Sequence, residues 1–363
     1  MHIKNSTNYF VLRSLITALM LTLVLGLTAH ALLAEAANDC ATAEACDYGL
    51  SAEEIEAYAA PEFEQPFVDH DLLHDRSYYQ ITGAMSVYDA PNGNVIRTLD
   101  AGFNFMTAIN RVEGWIEINQ GEWVRADQAK YTNHVISEFA GIFLPEEPLE
   151  YDVAWMLVNV YPSKFPGGTP AESNGLTPRY TQVTLFATVE VDGWDWYQIG
   201  PDKWVQQTQI AKVMPIERPD DVETEHWVGI DLYEQVLIAY EGETPVFATL
   251  ISSGLPRWPT YEGTFNIYWR RLREDMTWGK PGDDFYYLEE VPWTMFFDEG
   301  RALHGAYWHD GLGYRRSHGC VNLSITDAHW LYLWVAEVMG KRASAGVEIG
   351  PNVHVYSSGV YVN

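Results

Sequence analysis

The residues His304-Gly305 and Ser317-His318-Gly319-Cys320-Val321-Asn322 determine how the rest of this 363-residue sequence is interpreted. A cysteine attacks as its thiolate, and because a free thiol is mostly protonated at neutral pH it needs a base or a positive neighbour. His318 lies two residues before Cys320, a spacing that puts both side chains on one face of a strand. His304 lies further upstream, with room for a strand, a loop and a return strand between it and the thiol. The stretch therefore predicts a cysteine nucleophile with one of two histidines as its base.

Gly319 leaves space beside the thiol, so that backbone N–H groups can approach a developing oxyanion. The alternative is a structural thiol, because free cysteine is among the most buried residue types. The other two cysteines, Cys40 and Cys46, lie close together near the N-terminus. They form either a local disulfide or two free thiols, and in both cases Cys320 is left without a sequence partner.

The full string resembles the signature of the L,D-transpeptidase catalytic domain, also called the YkuD family. Three upstream segments resemble parts of the same domain: Leu232–Leu237, Ser252-Ser253-Gly254 and Thr260–Phe265. Tyr261 stands where family members commonly have proline. The resemblance implies a β-rich catalytic domain over residues 224–356.

The reaction implied by the resemblance is peptidoglycan cross-linking without a cofactor. Cys320 would attack the amide carbonyl that joins the third residue of a stem peptide to its terminal D-alanine. D-alanine leaves, and the amine of a second stem resolves the thioester and links the two third residues. Resolution by water would instead make the protein a carboxypeptidase.

Residue roles also follow from the resemblance. His304 would be the proton donor and acceptor, with the carbonyl of Gly305 orienting its ring. His318 would shape the site. The N–H groups of Gly319 and Cys320 would form the oxyanion hole.

Four further residues are candidates for contact with the stem peptide. Ser317 and Asn322 either contact it or hold the loop by hydrogen bonds. Arg315 and Arg316 belong to a cluster of eight of the chain's 22 basic residues within 257–316. Arginine suits carboxylate recognition, although the cluster is equally consistent with a solvated rim. No metal motif appears, since there is neither a paired histidine spacing nor Cys-x-x-Cys.

An internal repeat precedes this domain, over residues 78–130 and 152–213. Val112-Glu113-Gly114-Trp115 matches Val191-Asp192-Gly193-Trp194, and each is followed by a Trp-Val pair, Trp123 or Trp204. Short alternating strands with glycine turns predict small β barrels, and the pattern resembles bacterial SH3-like domains. The tryptophans are either a binding platform or core residues.

Within 224–356, alternating apolar residues predict strands at 227–232, 236–240 and 246–251 in a mixed or antiparallel sheet. A helix is expected after the cysteine motif. Its apolar residues recur with helical spacing, Thr326 or Asp327 would cap its start, and Gly340 would end it. The fold class is therefore mainly β, with two SH3-like barrels and a β-rich catalytic domain.

Residues 1–36 have a positive start and an uncharged run at 15–27, which indicates a cleaved export signal or a membrane anchor. Residues 37–77 are acidic and are expected to be a disordered spacer. The net charge of -28 argues against nucleic acid as a partner. We therefore expect an exported protein of the cell wall, periplasm or extracellular face, with peptidoglycan stem peptides as its partner.

Two rival classes fit less well. Wall-cleaving cysteine peptidases place the base histidine well after the cysteine, whereas only His329 and His354 follow Cys320 here. A sortase-like site would need an arginine shortly after the cysteine, and the next one is Arg342. A wall-binding protein with an inactive third domain is the non-enzyme alternative.

Overall fold

The computed structural model describes residues 48–81, 83–280, 284–340 and 350–360. The expected signal or anchor segment, Cys40 and Cys46 lie outside these residues. The chain divides into a main unit, Tyr58–Val160, Thr177–Leu185 and Thr208–Asn363, and a small unit, Met1–Ala57, Tyr161–Leu176 and Phe186–Gln207. No helix within the described ranges is long and apolar enough to cross a membrane.

Strands dominate the described residues, which confirms the mainly β prediction. The helices are α1 (Ala52–Ala57), α2 (His70–Leu73) and α3 (Ile325–Gly340). The strands are β1 (Ser77–Ile81), β2 (Met85–Tyr88), β3 (Val95–Leu99), β4 (Phe103–Ala108), β5 (Asn110–Val112), β6 (Trp115–Asn119), β7 (Glu122–Arg125), β8 (Ala129–Tyr131), β9 (Ile142–Phe143), β10 (Asp152–Met156), β11 (Gln182–Leu185), β12 (Ala187–Val191), β13 (Trp194–Gly200), β14 (Lys203–Gln206), β15 (Ile210–Val213), β16 (His226–Asp231), β17 (Val236–Glu241), β18 (Thr244–Leu250), β19 (Gly263–Asn266), β20 (Trp269–Trp278), β21 (Tyr286–Asp298), β22 (Arg301–Gly305), β23 (Val321–Leu323) and β24 (Asn352–Tyr356).

The predicted strands of the C-terminal region are confirmed as β16, β17 and β18. They are the centre of a sheet in the order β19-β24-β16-β17-β18-β9. β16 is antiparallel to β17 and parallel to β24, so the sheet is mixed, as expected. Its inner face buries apolar side chains such as Val228, Leu237 and Phe247, which share one core with Leu331 and Val335 of α3. Burial of these side chains is the main force that holds the helix on the sheet.

The helix after the cysteine motif is present, but its predicted cap is wrong. Ser324 precedes the first helical residue, and its Oγ accepts from the N–H of Asp327 at 3.1 Å. Thr326 and Asp327 both lie inside the first turn. The Asp327 carboxylate is instead buried, where it accepts from the N–H of Gly141 at 2.9 Å and from the hydroxyl of Thr249 at 2.6 Å.

A second sheet carries the cysteine motif and continues into the first repeat. Its order is β23-β22-β21-β4-β1-β8, with β20 also paired to β21. β21 runs parallel to β4, with Tyr286–Leu288 beside Phe103–Phe105. The first repeat therefore shares a sheet with the strands around the cysteine and is not a detached barrel.

The internal repeat is visible in the strand pairing. β1 pairs with β4 and β8, and the equivalent β10 pairs with β11 and β15. The order β5-β6-β7 is likewise matched by β12-β13-β14. Strands β12, β13 and β14 belong to the small unit, whereas β10, β11 and β15 belong to the main unit. The SH3-like assignment of the copies stays a prediction.

The core interpretation of the repeat tryptophans fits two of them. Trp115 is 6% exposed and Trp204 is 2% exposed, whereas Trp194 is 38% exposed. Trp115 packs edge-on against Tyr88 of its own copy, and Trp204 packs edge-on against Tyr48, which precedes the repeat. Their burial leaves them little surface for a ligand.

The expected disorder of residues 37–77 is wrong for the part that precedes β1. Phe63 and Val68 pack against separate cores of the main unit, and Leu73 is 1% exposed. The carboxylate of Asp69 caps α2 by accepting from the N–H groups of Asp71 and Leu72. A few well-spaced apolar residues are thus sufficient to anchor an acidic segment.

Candidate active site

Cys320 lies directly before β23, beside the strand that carries His304. β22 and β23 are parallel, with Leu303 opposite Val321 and His304 opposite Asn322. Because side chains alternate along a strand, residues 320 and 322 point to the same face as His304. The two strands therefore bring the predicted base and nucleophile to one side of the sheet.

That face borders a cavity of about 910 Å³. The predicted site residues on its wall are His304, Arg315, Arg316, Ser317, His318, Cys320 and Asn322. Other wall residues come from the turn after β18, from β21 and from the loop after β22, and include Trp258, Tyr286, Trp308 and His309. Gly305 and Gly319 act through the backbone.

The His304 ring is held in the form that can accept a proton. Its Nδ1 lies 3.2 Å from the carbonyl of Gly305, which can only accept, so Nδ1 carries the hydrogen and Nε2 keeps its lone pair. Burial lowers the pKa of His304 to about 4, against a smaller opposite effect of the Gly305 hydrogen bond. The imidazole is therefore neutral at pH 7.

The Cys320 thiol is protonated at rest. Burial raises its pKa, and the N–H of Ala302 and the charge of Arg301 lower it by less. A thiol with a raised pKa needs a base at the moment of attack. The neutral His304 ring can serve as that base.

Gly319 is required by the shape of the loop. Its φ is +113°, and a Cβ there would lie 2.8 Å from Nε of Arg301. Its N–H donates to Oγ of Ser317 at 3.0 Å, so the predicted oxyanion role of Gly319 does not fit this conformation. The Ser317 hydroxyl in turn donates to the carbonyl of Cys320, which makes Ser317 a support of the loop.

The upstream segments that resemble the family hold this loop through hydrogen bonds. Ser252 exchanges two backbone hydrogen bonds with Asn322, at 2.9 and 3.0 Å. The carbonyl of Ser253 accepts from the N–H groups of Arg316 and Ser317. The hydroxyl of Thr260 donates to the carbonyl of Gly319 at 2.9 Å.

The profile of the YkuD L,D-transpeptidase catalytic domain matches residues 225–353. These residues form a YkuD-family L,D-transpeptidase catalytic domain. The match covers β16 to β23, the cysteine loop, α3 and the first two residues of β24.

Proteins similar to this YkuD domain are named as L,D-transpeptidases. YciB of Bacillus subtilis, provisionally named an L,D-transpeptidase, is 28% identical over 131 residues, which are 32% of this chain and 64% of that protein. An L,D-transpeptidase structure from Xylanimonas cellulosilytica is 28% identical, over 38% of this chain and 64% of that one, with a TM-score of 0.27. One from Mycobacterium smegmatis is 19% identical, over 50% of this chain and 76% of that one, with a TM-score of 0.32.

His318 of the YkuD domain belongs to an aromatic wall of the cavity. Its ring stacks on Trp258 at 3.8 Å between centroids and lies 5.0 Å from Tyr286 and 5.5 Å from Trp278. Arg257 covers Trp258, with its guanidinium carbon 3.9 Å from the ring. Sequence reasoning missed these aromatic residues because they lie far from the cysteine motif in the chain.

The three nearby arginines of the YkuD domain differ in their surroundings. Arg315 is partly buried and donates to the carbonyl of Leu232 at 3.3 Å, whereas Arg316 is exposed at the cavity edge. Arg301 donates to Asp298 at 2.8 Å and lies 4.1 Å above the ring of Tyr261, the residue that replaces the common proline. Because the charge of Arg301 acts on the thiol, it is a further site residue that sequence reasoning did not single out.

His309 was missed although it lies between His304 and Cys320 in the motif stretch. Its Nδ1 accepts from the N–H of Gly311 at 3.0 Å, and its Nε2 lies 2.9 Å from the side-chain amide of Asn322. Burial, followed by the charge of Arg316, lowers the pKa of His309 to about 3. The ring is therefore neutral and fixed next to the site.

Proposed function

We propose that this protein is a peptidoglycan L,D-transpeptidase that cross-links the third residues of two stem peptides through a thioester on Cys320. The observation that carries the proposal is the pairing of a protonated Cys320 thiol with a neutral His304, whose Nδ1 is held by Gly305, on one cavity of a YkuD domain. This is the combination that a base-assisted thiol attack requires.

In the first half-reaction, Nε2 of His304 takes the thiol proton as Sγ of Cys320 attacks the carbonyl carbon before the terminal D-alanine. The C–N bond breaks, the leaving amine receives the proton from His304, and D-alanine departs. In the second half-reaction, the amine of another stem gives a proton to His304 and attacks the thioester. The new amide forms and the thiol is restored by that proton.

Charge at the cavity supports a carboxylate-bearing substrate. Arg257, Arg315 and Arg316 line it, and guanidinium groups bind carboxylates through paired hydrogen bonds. Since the N–H of Gly319 is committed to Ser317, the N–H of Cys320 is the donor left to stabilise the oxyanion in this conformation.

We also propose that the chain is exported and works at the cell wall. The positive start and the uncharged run at residues 15–27 support an export signal or an anchor, and the net charge of -28 suits a soluble protein outside the cytoplasm. The stem peptides of the wall would be its partners.

The test is mass spectrometry of tetrapeptide stems incubated with the purified protein. A peptide dimer whose mass equals that of two tetrapeptides less one D-alanine supports the transpeptidase. A tripeptide without dimer points to the carboxypeptidase instead. If neither product forms although Cys320 is still alkylated by iodoacetamide, the proposed function is rejected. Cys320→Ala is the matched control and is expected to give neither product.

A further inference from the structure

The hydrogen bonds of His309 determine the orientation of the Asn322 amide. Nδ1 of the ring accepts from Gly311, so the neutral ring carries its hydrogen on Nε2. Nε2–H faces the Asn322 amide at 2.9 Å, and only the amide oxygen can accept it. The Asn322 amide is therefore assigned with its oxygen toward His309, and its NH₂ takes the buried position at which the structure places Oδ1, an atom that no donor of the described residues reaches.

The backbone of Asn322 is held in place, so the side-chain amide stays directed toward the site. Asn322 is 2% exposed, bonded in both directions to Ser252 and opposite His304 in the strand register. It also lines the cavity. A buried amide NH₂ is stabilised by an acceptor, and a carbonyl oxygen of a bound peptide would supply one at this position.

The loop that carries His309 is fixed by residues outside the YkuD domain. The carboxylate of Asp310 accepts from the hydroxyl of Tyr180 at 2.8 Å and from that of Ser137, and it lies 3.5 Å from Arg179. All of these residues belong to the main unit. The position of His309 is therefore set by packing and does not depend on the substrate.

We propose that His309 is a positioning residue, which holds the Asn322 amide so that its NH₂ donates to a carbonyl oxygen of the bound stem peptide. This inference rests on the proposed function, because the acceptor is part of the stem. His309 itself does not touch the substrate. Its effect on the reaction passes through Asn322.

The test compares two variants that each keep half of the hydrogen bonds of His309. His309→Gln can still donate to the Asn322 oxygen from an amide at the position of Nε2. His309→Asn can still accept from Gly311 at the position of Nδ1 but cannot reach Asn322. We expect His309→Asn to lower kcat/KM for the tetrapeptide about tenfold, the usual scale of one lost hydrogen bond, and His309→Gln to restore most of it.

A double-mutant cycle separates positioning from a purely structural role. In an Asn322→Ala background, His309→Asn should have almost no further effect on kcat/KM. Thermal melting of all variants checks the fold. Equal kcat/KM for His309→Gln and His309→Asn, or a full tenfold loss in the Asn322→Ala background, would overturn the inference. A wild-type protein that makes no product but is alkylated at Cys320 would instead reject the proposed function.

Discussion

Tyr78 of the first repeat stacks on Tyr307 of the YkuD domain, with ring centroids 3.5 Å apart and planes 7° from parallel. Tyr78 is 1% exposed, and its hydroxyl accepts from Arg273 at 3.0 Å. Tyr307 is fully buried and donates to the carbonyl of Glu289 at 2.8 Å. Together with the β4–β21 pairing, this contact makes the first repeat part of the body that carries the active site.

The first prediction is that Tyr78→Ala destabilises the YkuD domain itself. Removal of a buried aromatic ring should lower the free energy of unfolding by about 3 kcal/mol. Tyr78→Phe, which keeps the ring and loses only the hydroxyl, should lower it by about 1 kcal/mol. Urea unfolding, followed both by tryptophan fluorescence and by loss of the carbapenem acylation of Cys320, measures the effect. If Cys320 is still acylated after the rest has unfolded in Tyr78→Ala, the two parts are independent.

The second prediction concerns His304. Because the pKa of His304 is lowered to about 4, the neutral base persists down to about pH 5, and the acylation rate should fall only as pH drops through 4. His304→Gln should slow acylation of Cys320 by about 10²–10⁴-fold, the usual scale of general-base catalysis. A rate that instead falls near pH 6.5 would contradict a buried neutral base.

His318 provides the matched control for His304. It belongs to the aromatic wall, so His318→Phe should keep the stacking on Trp258 and retain most of the acylation rate. Acylation by a carbapenem, read by intact-protein mass spectrometry, is a suitable assay because the YkuD resemblance implies reaction with that class. A greater loss for His318→Phe than for His304→Gln would mean that the base is misassigned.

A third prediction tests the charge beside the thiol. Arg301 lowers the pKa of Cys320, so Arg301→Gln should raise it further and slow alkylation by iodoacetamide at pH 8, by less than about tenfold. Arg301→Lys keeps the charge and should alkylate at a rate closer to that of the wild type. Equal rates for the three proteins would show that Arg301 has no electrostatic effect on the thiol.

The sequence was informative where the chemistry is local. The strands β16 to β18 and the helix α3 follow from periodicity. The need for a residue without a side chain at Gly319 follows from its place between His318 and Cys320. The hydrogen bond between Gly319 and Ser317 could not be predicted, because it depends on the turn that the loop adopts. The cap at Ser324 was missed because Asp327, an equally good capping residue, is used in a tertiary contact with Gly141 and Thr249.

Contacts between distant segments were beyond the reach of the sequence. The pairing of β4 with β21 joins residues far apart in the chain, and no periodicity marks it. The acidic segment before β1 has a composition typical of disorder, yet Phe63, Val68 and Leu73 anchor it. His309 was overlooked because its role appears only when Gly311 and Asn322 are seen on either side of its ring.

The last prediction concerns Asp327, whose pKa burial raises to about 6 despite its hydrogen bonds to Thr249, Gly141 and Ser324. Because the folded pKa lies above the ordinary aspartate pKa of 3.8, the folded state binds this proton more tightly than the unfolded state. The resulting stabilisation is complete below about pH 4 and is lost as pH rises through 6, a change of about 3 kcal/mol. In Asp327→Asn this part of the pH dependence should disappear.

Thr249→Val removes a hydroxyl that lowers the pKa of Asp327, so in that variant the loss of stability should continue to higher pH and become larger. Urea unfolding between pH 4 and pH 8 measures both effects. Asp327 would not be the group responsible if Asp327→Asn kept the wild-type slope. It would also be excluded if Thr249→Val moved the transition to lower pH, because the loss of a hydrogen bond to the carboxylate can only favour its protonated form.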